Sequence, residues 1–243
     1  MDHTLLPAPH IALALGNFHY PQHHLLPVDA LTSNLALDIE TAWPDPAQNG
    51  QVDHMTLLYT SPGGNLHEVP VPLPGPLHFP LRVWLPYKYL HEEGVSKVAF
   101  KVRNQAGVTY ESDPVAFTID LRVPNHDQAG TKPVVDGEVG FPGVTRDYLL
   151  RHCNSVKFLV EQYPGQTAGD RVGLCLGGPN EPVLSDALVT RADRDTIIRL
   201  DAEYLLELDD GVHLAYYKLF SRAGKVGPNS KGTFVRIDLG PRD

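Results

Sequence analysis

The chain has 243 residues, a hydrophobic share of 42%, 22 Pro and 21 Gly, and a formal net charge of -9 from 29 acidic against 20 basic residues. That length accommodates two domains of ordinary size, each able to bury its own core. The acidic balance, with no basic run anywhere, argues against binding to nucleic-acid phosphates or adhesion to anionic lipid.

The N-terminus, MDHTLLPAPHIALALG, lacks the positively charged leader region of a secretory signal, and its apolar run is short and flanked by Pro. No stretch is long enough to span a membrane as a helix. As written, the chain is expected in the cytoplasm, with leaderless export or display within a larger assembly as alternatives. The segment His19-Tyr20-Pro21-Gln22-His23-His24 follows, with His3 and His10 upstream. Converging imidazoles bind zinc or nickel, but Pro21 interrupts the spacing and no Cys or carboxylate lies beside it. The reading is surface histidines; no metal and no cofactor is assigned.

Two stretches then reveal a repeat. YLHEEGVSKVAFKVRNQAGV (Tyr89 to Val108) and YLLELDDGVHLAYYKLFSRAGKV (Tyr204 to Val226) share Tyr-Leu, two acids, Gly-Val, an alternating strand and an Ala-Gly turn, with the second glycine thirteen positions after the first. GNFHYP (16–21) matches GEVGFP (137–142), Trp43-Pro44 matches Tyr163-Pro164, and VAFTIDL (115–121) matches TFVRIDL (233–239) after a one-residue slip. The repeat length is near 120 residues. Domains are expected at 1–122 and 132–243, joined by a polar, turn-rich linker over 123–131.

Within each copy the periodicity is that of strands. Val98, Phe100 and Val102 alternate cleanly; Leu214 to Leu219 alternate less cleanly. Strands are expected in the second copy at 155–161, 171–176, 195–200, 212–221 and 232–239, with single helical turns at 148–152 and 202–206. Short strands at this spacing, without strand–helix–strand alternation, point to an all-β protein: two tandem antiparallel Greek-key β-sandwiches. The acidic-Gly units (Glu92-Glu93-Gly94 and Asp209-Asp210-Gly211) are corners, and Ala106-Gly107 and Ala223-Gly224 are hairpins that use the freedom of Gly at positive φ.

This sequence of acidic-Gly corner, alternating strand, Ala-Gly hairpin and closing apolar strand resembles the bacterial immunoglobulin-like repeats of large surface and secreted proteins. YPGQTAGDRVGLCLGG (163–178) is similar to their middle-strand segment. The first copy departs from that pattern, since AWPDPAQNGQVDHMTLLY lacks a Gly-Asp before its strand. The resemblance implies an immunoglobulin-like sandwich and carries over no catalytic residue.

Cys153 and Cys175 both fall in the second copy and have no counterparts in the first, so free thiols are expected. Acid pairs are explained by turns, although carboxylates can also bind calcium. Nucleophile elbows, phosphate-cradling loops and zinc-helix motifs are missing, so no catalytic residue is expected and the protein is not read as an enzyme. Trp84 and Tyr87 are the best-placed aromatics for stacking on a ligand, and the Pro-rich segment 63–80, read as a stiff loop, adds Leu73, Pro74 and Leu77 as expected contact residues. The function expected is a non-catalytic interaction or spacer protein presenting loops and strand edges to a protein partner. The alternative is a carbohydrate-binding module using exposed aromatics; neither nucleic acid nor membrane insertion is expected.

Overall fold

Alternating side chains decide the strands of the first unit. Strand β2 (Val52–Thr60) turns Asp53, Met55, Leu57 and Tyr59 inward, and β5 (Gly94–Arg103) does the same with Ser96, Val98, Phe100 and Val102. The two pair antiparallel, with Leu57 opposite Phe100. In the computed structural model, which describes residues 5–16 and 20–240, the chain divides into two compact units, Met1–Leu121 and Arg122–Asp243. Among the described residues no helix is long and apolar enough to cross a membrane.

The remaining strands of the first unit are β1 (Leu35–Ile39), β3 (Leu66–Pro74), β4 (Leu81–Leu85), β6 (Thr109–Glu111) and β7 (Val115–Ile119). One sheet runs β3-β2-β5-β6, with β7 also pairing β5, and the other is β1-β4. Leu35, Leu37, Val83 and Leu85 from the smaller sheet pack with Met55, Leu57, Tyr59, Phe100 and Phe117 of the larger in one core. The N-terminal segment joins both sheets by single bridges, His10 antiparallel to Asp38 and Leu25 parallel to Thr118.

The second unit repeats this plan with two short helices added. It contains β8 (Val134–Val135), β9 (Val144–Thr145), helix α1 (Arg146–Arg151), β10 (Ser155–Val160), β11 (Arg171–Gly177), β12 (Ser185–Leu188), β13 (Thr196–Asp201), helix α2 (Ala202–Leu206), β14 (Gly211–Phe220) and β15 (Thr233–Asp238). The sheets run β13-β10-β8 and β12-β11-β14-β15-β9, and β9 lies parallel to β15. Both units thus have the strand order of an immunoglobulin-like sandwich. The short helices fall where single turns are expected; Thr145 Oγ1 caps α1 by accepting from the Tyr148 amide at 3.1 Å.

The two copies match in register as well as in order. Gly94 lies opposite Ile119, and Gly211 opposite Ile237. The hairpins close alike: Asn104 and Val108 are bonded N to O at 2.9 Å, Ser221 and Lys225 at 2.8 Å, with Gly107 and Gly224 at φ 85° and 97°. The one-residue slip that follows has a physical marker in both. Ser112 Oγ accepts from the Phe100 amide, and Ser230 Oγ from the Tyr217 amide, each at 2.9 Å. Each serine thereby stands in where the ladder loses a backbone partner.

Three segments differ from expectation. Residues 66–74 of the expected loop 63–80 form a strand: β3 pairs with β2 along nine residues, with Pro70, Pro72 and Pro74 opposite Thr56, His54 and Val52. Prolines at every second position of an edge strand put their missing N–H groups on one side, the free edge, so the ladder to β2 survives and the edge is blunted. The segment 177–194 contains β12, and its first part lies across the outer face of β11 and β14. Val183 packs on Gly173, and Glu181 O accepts from Tyr216 Oη and Lys218 Nζ, both at 3.4 Å. That cover buries Tyr216 from the solvent side, which is why β14 alternates poorly in sequence. Residues 123–131 are part of the second unit, where Gly130 O accepts from the Lys231 amide at 3.0 Å and Asn125 Nδ2 donates to Gln128 O at 2.7 Å.

Candidate functional site

Polar groups inside the sandwiches hold turns in place. Asp53 is fully buried; its Oδ2 accepts from Trp43 Nε1 at 2.7 Å and the Ala47 amide at 3.0 Å, and its Oδ1 from the Gln105 amide at 2.8 Å. Asp170, also fully buried, accepts from Tyr163 Oη at 3.0 Å and the Thr167 amide at 3.1 Å, with the Arg122 guanidinium 3.2 Å away. Trp43 and Tyr163 recur in the sequence, so the two aspartates do one job: each carries the loop between the first and second long strands on a single carboxylate. The first copy's missing Gly-Asp is therefore replaced by Asp53, inside β2. Burial beside that carboxylate pushes the Tyr163 phenol far above its usual range.

The acidic corners are likewise occupied. Asp210 accepts from the Leu239 amide at 2.8 Å and the Gly240 amide at 3.0 Å, and Glu92 Oε1 from the Gly63 amide at 3.2 Å. Asp193 is held by Arg191 through two bonds of 2.9 Å, and Asp195 accepts from the Gln162 amide at 2.9 Å. Among the described residues no group of three His, Cys, Asp or Glu is placed to hold a metal ion. His3 and His19 lie outside the described residues. Of the rest of the His-rich segment, His23 O accepts from Thr118 Oγ1 at 2.8 Å and His24 Nδ1 sits 2.9 Å from Ala116 O, which ties this segment to β7.

The expected contact residues separate. Trp84 and Tyr87 are 51% and 53% exposed. Trp84 stands on β4 opposite Ala36, next to the outward pair Arg82 and Asp38, whose bonds of 2.7 and 3.0 Å hold the Asp38 carboxyl below its usual range. Tyr87 begins a 3-10 turn, Tyr87–Tyr89, and its amide donates to Asn34 Oδ1 at 3.0 Å. Leu73 is only 6% exposed and belongs to the core, and half-buried Leu77 packs against that core. The reason is the strand: Leu73 shares the inward parity of Val69 and Val71, leaving Pro74 outward.

The structure also assembles a cup that the sequence does not announce. Tyr59 and Ser61 from β2 and its turn, His67 from β3, and Lys88, Tyr89, His91 and Glu92 from the corner before β5 line a cavity of about 570 Å³. Tyr89 and His67 have ring centroids 5.2 Å apart, Tyr59 lies 5.2 Å from Tyr89, and Lys88 Nζ is 5.0 Å from the Tyr89 ring centre. The Tyr59 hydroxyl donates to Tyr89 O at 2.8 Å and shares a 3.0 Å bond with Ser96 Oγ, and burial holds that phenol above its usual range. Tyr87 continues the cluster outward, edge-on to His91 at 5.6 Å. Ser61 is 6% exposed and its Oγ has no hydrogen-bond partner. These residues lie up to thirty-three positions apart and are joined by β2–β3 and β2–β5 pairing, which is why spacing alone cannot find them.

No family model matches the chain, and no curated protein matches it. Among solved structures it is similar to a calcium-stabilised adhesin with which an Antarctic bacterium reaches out and binds ice, at 15% identity over 93% of this chain and 50% of that one, TM-score 0.37. It is similar to a tetra-tandem repeat in the extending region of a large adhesion protein, at 15% identity over 88% and 47%, TM-score 0.30. It is also similar to the fibronectin(III)-like modules of Clostridium thermocellum CbhA, at 11% identity over 85% of both chains, TM-score 0.39. The chain spans about half the length of the first two of these structures.

Proposed function

We propose that the chain works by binding without turnover, as an interaction or spacer protein whose first unit presents a surface to a protein partner. The observation that carries this reading is the exposed aromatic corner of that unit. Tyr87 is half exposed yet anchored by its amide on Asn34 and flanked by His91. An aromatic side chain held in advance loses little freedom on contact, and Tyr and Trp are the residues that dominate interface centres. The buried acids Asp53 and Asp170 are committed to the scaffold, so the corner can vary without disturbing either core. A carbohydrate partner is the second reading, and the cup favours it, because it sets ring faces beside hydroxyl, imidazole and ammonium donors.

The test is a photocrosslinking amino acid in place of Tyr87, introduced in cells that express the chain, with the same group at the exposed Val212 of the second unit as reference. A discrete crosslinked product from position 87 alone is expected. Equal labelling from both positions, or none from position 87, would overturn the reading.

A further inference from the structure

We infer that the cup of the first unit is a binding site for an acidic sugar, a pyranose residue carrying a carboxylate, with Lys88 as the carboxylate's partner and Ser61 Oγ as a donor to a ring hydroxyl. The inference rests on the second, carbohydrate reading above and names the sugar class for it. Three features carry it. The volume of about 570 Å³ falls within the range of small-molecule sites. The walls are half-buried rings, Tyr89 and His67, which offer the faces on which a pyranose lays its C–H groups. The cup's one cation is the Lys88 ammonium, and its one carboxylate, Glu92, lends Oε1 to the Gly63 amide. The two imidazoles and the Ser61 hydroxyl can each donate or accept, so the ammonium, a donor only, is what selects a carboxylate on the ligand.

Ser61 Oγ is the most telling group. A buried hydroxyl without a partner costs folding free energy, and because Ser61 lines the cup, a turn of its side chain about χ1 would bring the now covered Oγ to a ligand hydroxyl. Removing it should therefore move two measurements in opposite directions. Ser61→Ala should raise the urea midpoint of the first unit while weakening the sugar.

The experiment is an amide-resolved NMR titration of the full chain with methyl glucuronide, methyl glucoside and acetate. Methyl glucuronide should shift amides of residues 59–67 and 87–92, and methyl glucoside and acetate should each bind at least about tenfold more weakly. Lys88→Gln should weaken the glucuronide at least about fivefold, and Phe234→Ala, on the exposed face of the second unit, should leave it unchanged. Equal binding of glucuronide and glucoside, equal binding of acetate, shifts mapped elsewhere, no shifts, or indifference to Lys88→Gln would each overturn the inference. A crosslink from Tyr87 in a chain whose cup takes no glucuronide would sink this inference and leave the binding reading standing; absence of both would sink the two together.

Discussion

Replacing Asp53 by Ala tests whether one buried carboxylate holds the first unit's loop. The substitution strands three donors, Trp43 Nε1 and the amides of Ala47 and Gln105, all within 3.0 Å of the carboxylate. A buried donor left without an acceptor costs about 1–3 kcal/mol, and water entering the space recovers part of it, so the total loss should be about 3 kcal/mol. Both tryptophans, Trp43 and Trp84, lie in the first unit, so fluorescence excited at the indole band follows that unit alone during urea unfolding. With a denaturant slope of about 1.5 kcal/mol/M the midpoint should fall by about 2 M. Asp53→Asn keeps one acceptor oxygen and should cost roughly half as much. A loss below about 1 kcal/mol for Asp53→Ala would refute the reasoning, because the carboxylate would then not be what holds Trp43 and the loop together.

Other outcomes follow from the same contacts. With a thiol reagent, native protein should react at exposed Cys153 only, and at both thiols in denaturant, since Cys175 is fully buried and burial pushes its thiol up; two fast thiols in the native state would contradict the packing over β11. Replacing Leu73–Leu77 with a Gly-Ser linker should unfold the first unit, given that Leu73→Ala alone should cost about 2–4 kcal/mol in urea melts. In alkali the second unit should weaken. Tyr148, pushed up to about 12 by burial, and Tyr163, raised by burial beside Asp170, keep their protons in the fold while unfolded tyrosines ionise near pH 10. Their contribution is fully present below about pH 10 and is lost as pH rises above it, so tyrosinate absorbance should lag and then rise with unfolding; normal titration of all tyrosines in folded protein would refute this. Gly94→Ala should cost about 1–3 kcal/mol, because φ is 131° there and a Cβ would come within 2.8 Å of Pro62 Cβ.

The sandwich architecture was legible because its signals are local. Gly94 and Gly211, Ala106-Gly107 and Ala223-Gly224, and the clean alternation of β5 each fix a turn or a face within a few residues, and the same signals occur twice. What was not legible depends on contacts between distant strands. Prolines at positions 70, 72 and 74 read as a stiff loop, although at every second residue they are compatible with an edge strand whose partner, β2, supplies the order. The irregular β14 pattern needed the cover from Glu181 and Val183 to explain it. Asp53 carries no sequence signal because it sits inside an apolar strand instead of after a Gly, and only its bonds to Trp43 and Gln105 reveal that it does the work of Asp170. Trp84 and Tyr87 could be singled out as aromatics; the cup formed by Ser61, His67 and Tyr89 could not, since β2–β3 pairing brings in His67 and the Tyr59 bond to the corner before β5 brings in Tyr89.

Binding without turnover is tested most directly by holding the purified chain with a panel of acidic and neutral polysaccharides and measuring retained protein and new reducing ends in the same samples. The account predicts retention on an acidic polymer that competes with methyl glucuronide, with the polymer recovered intact after prolonged incubation. New reducing ends that accumulate with time and disappear on replacing a single exposed acid, such as Glu161→Gln, would contradict it.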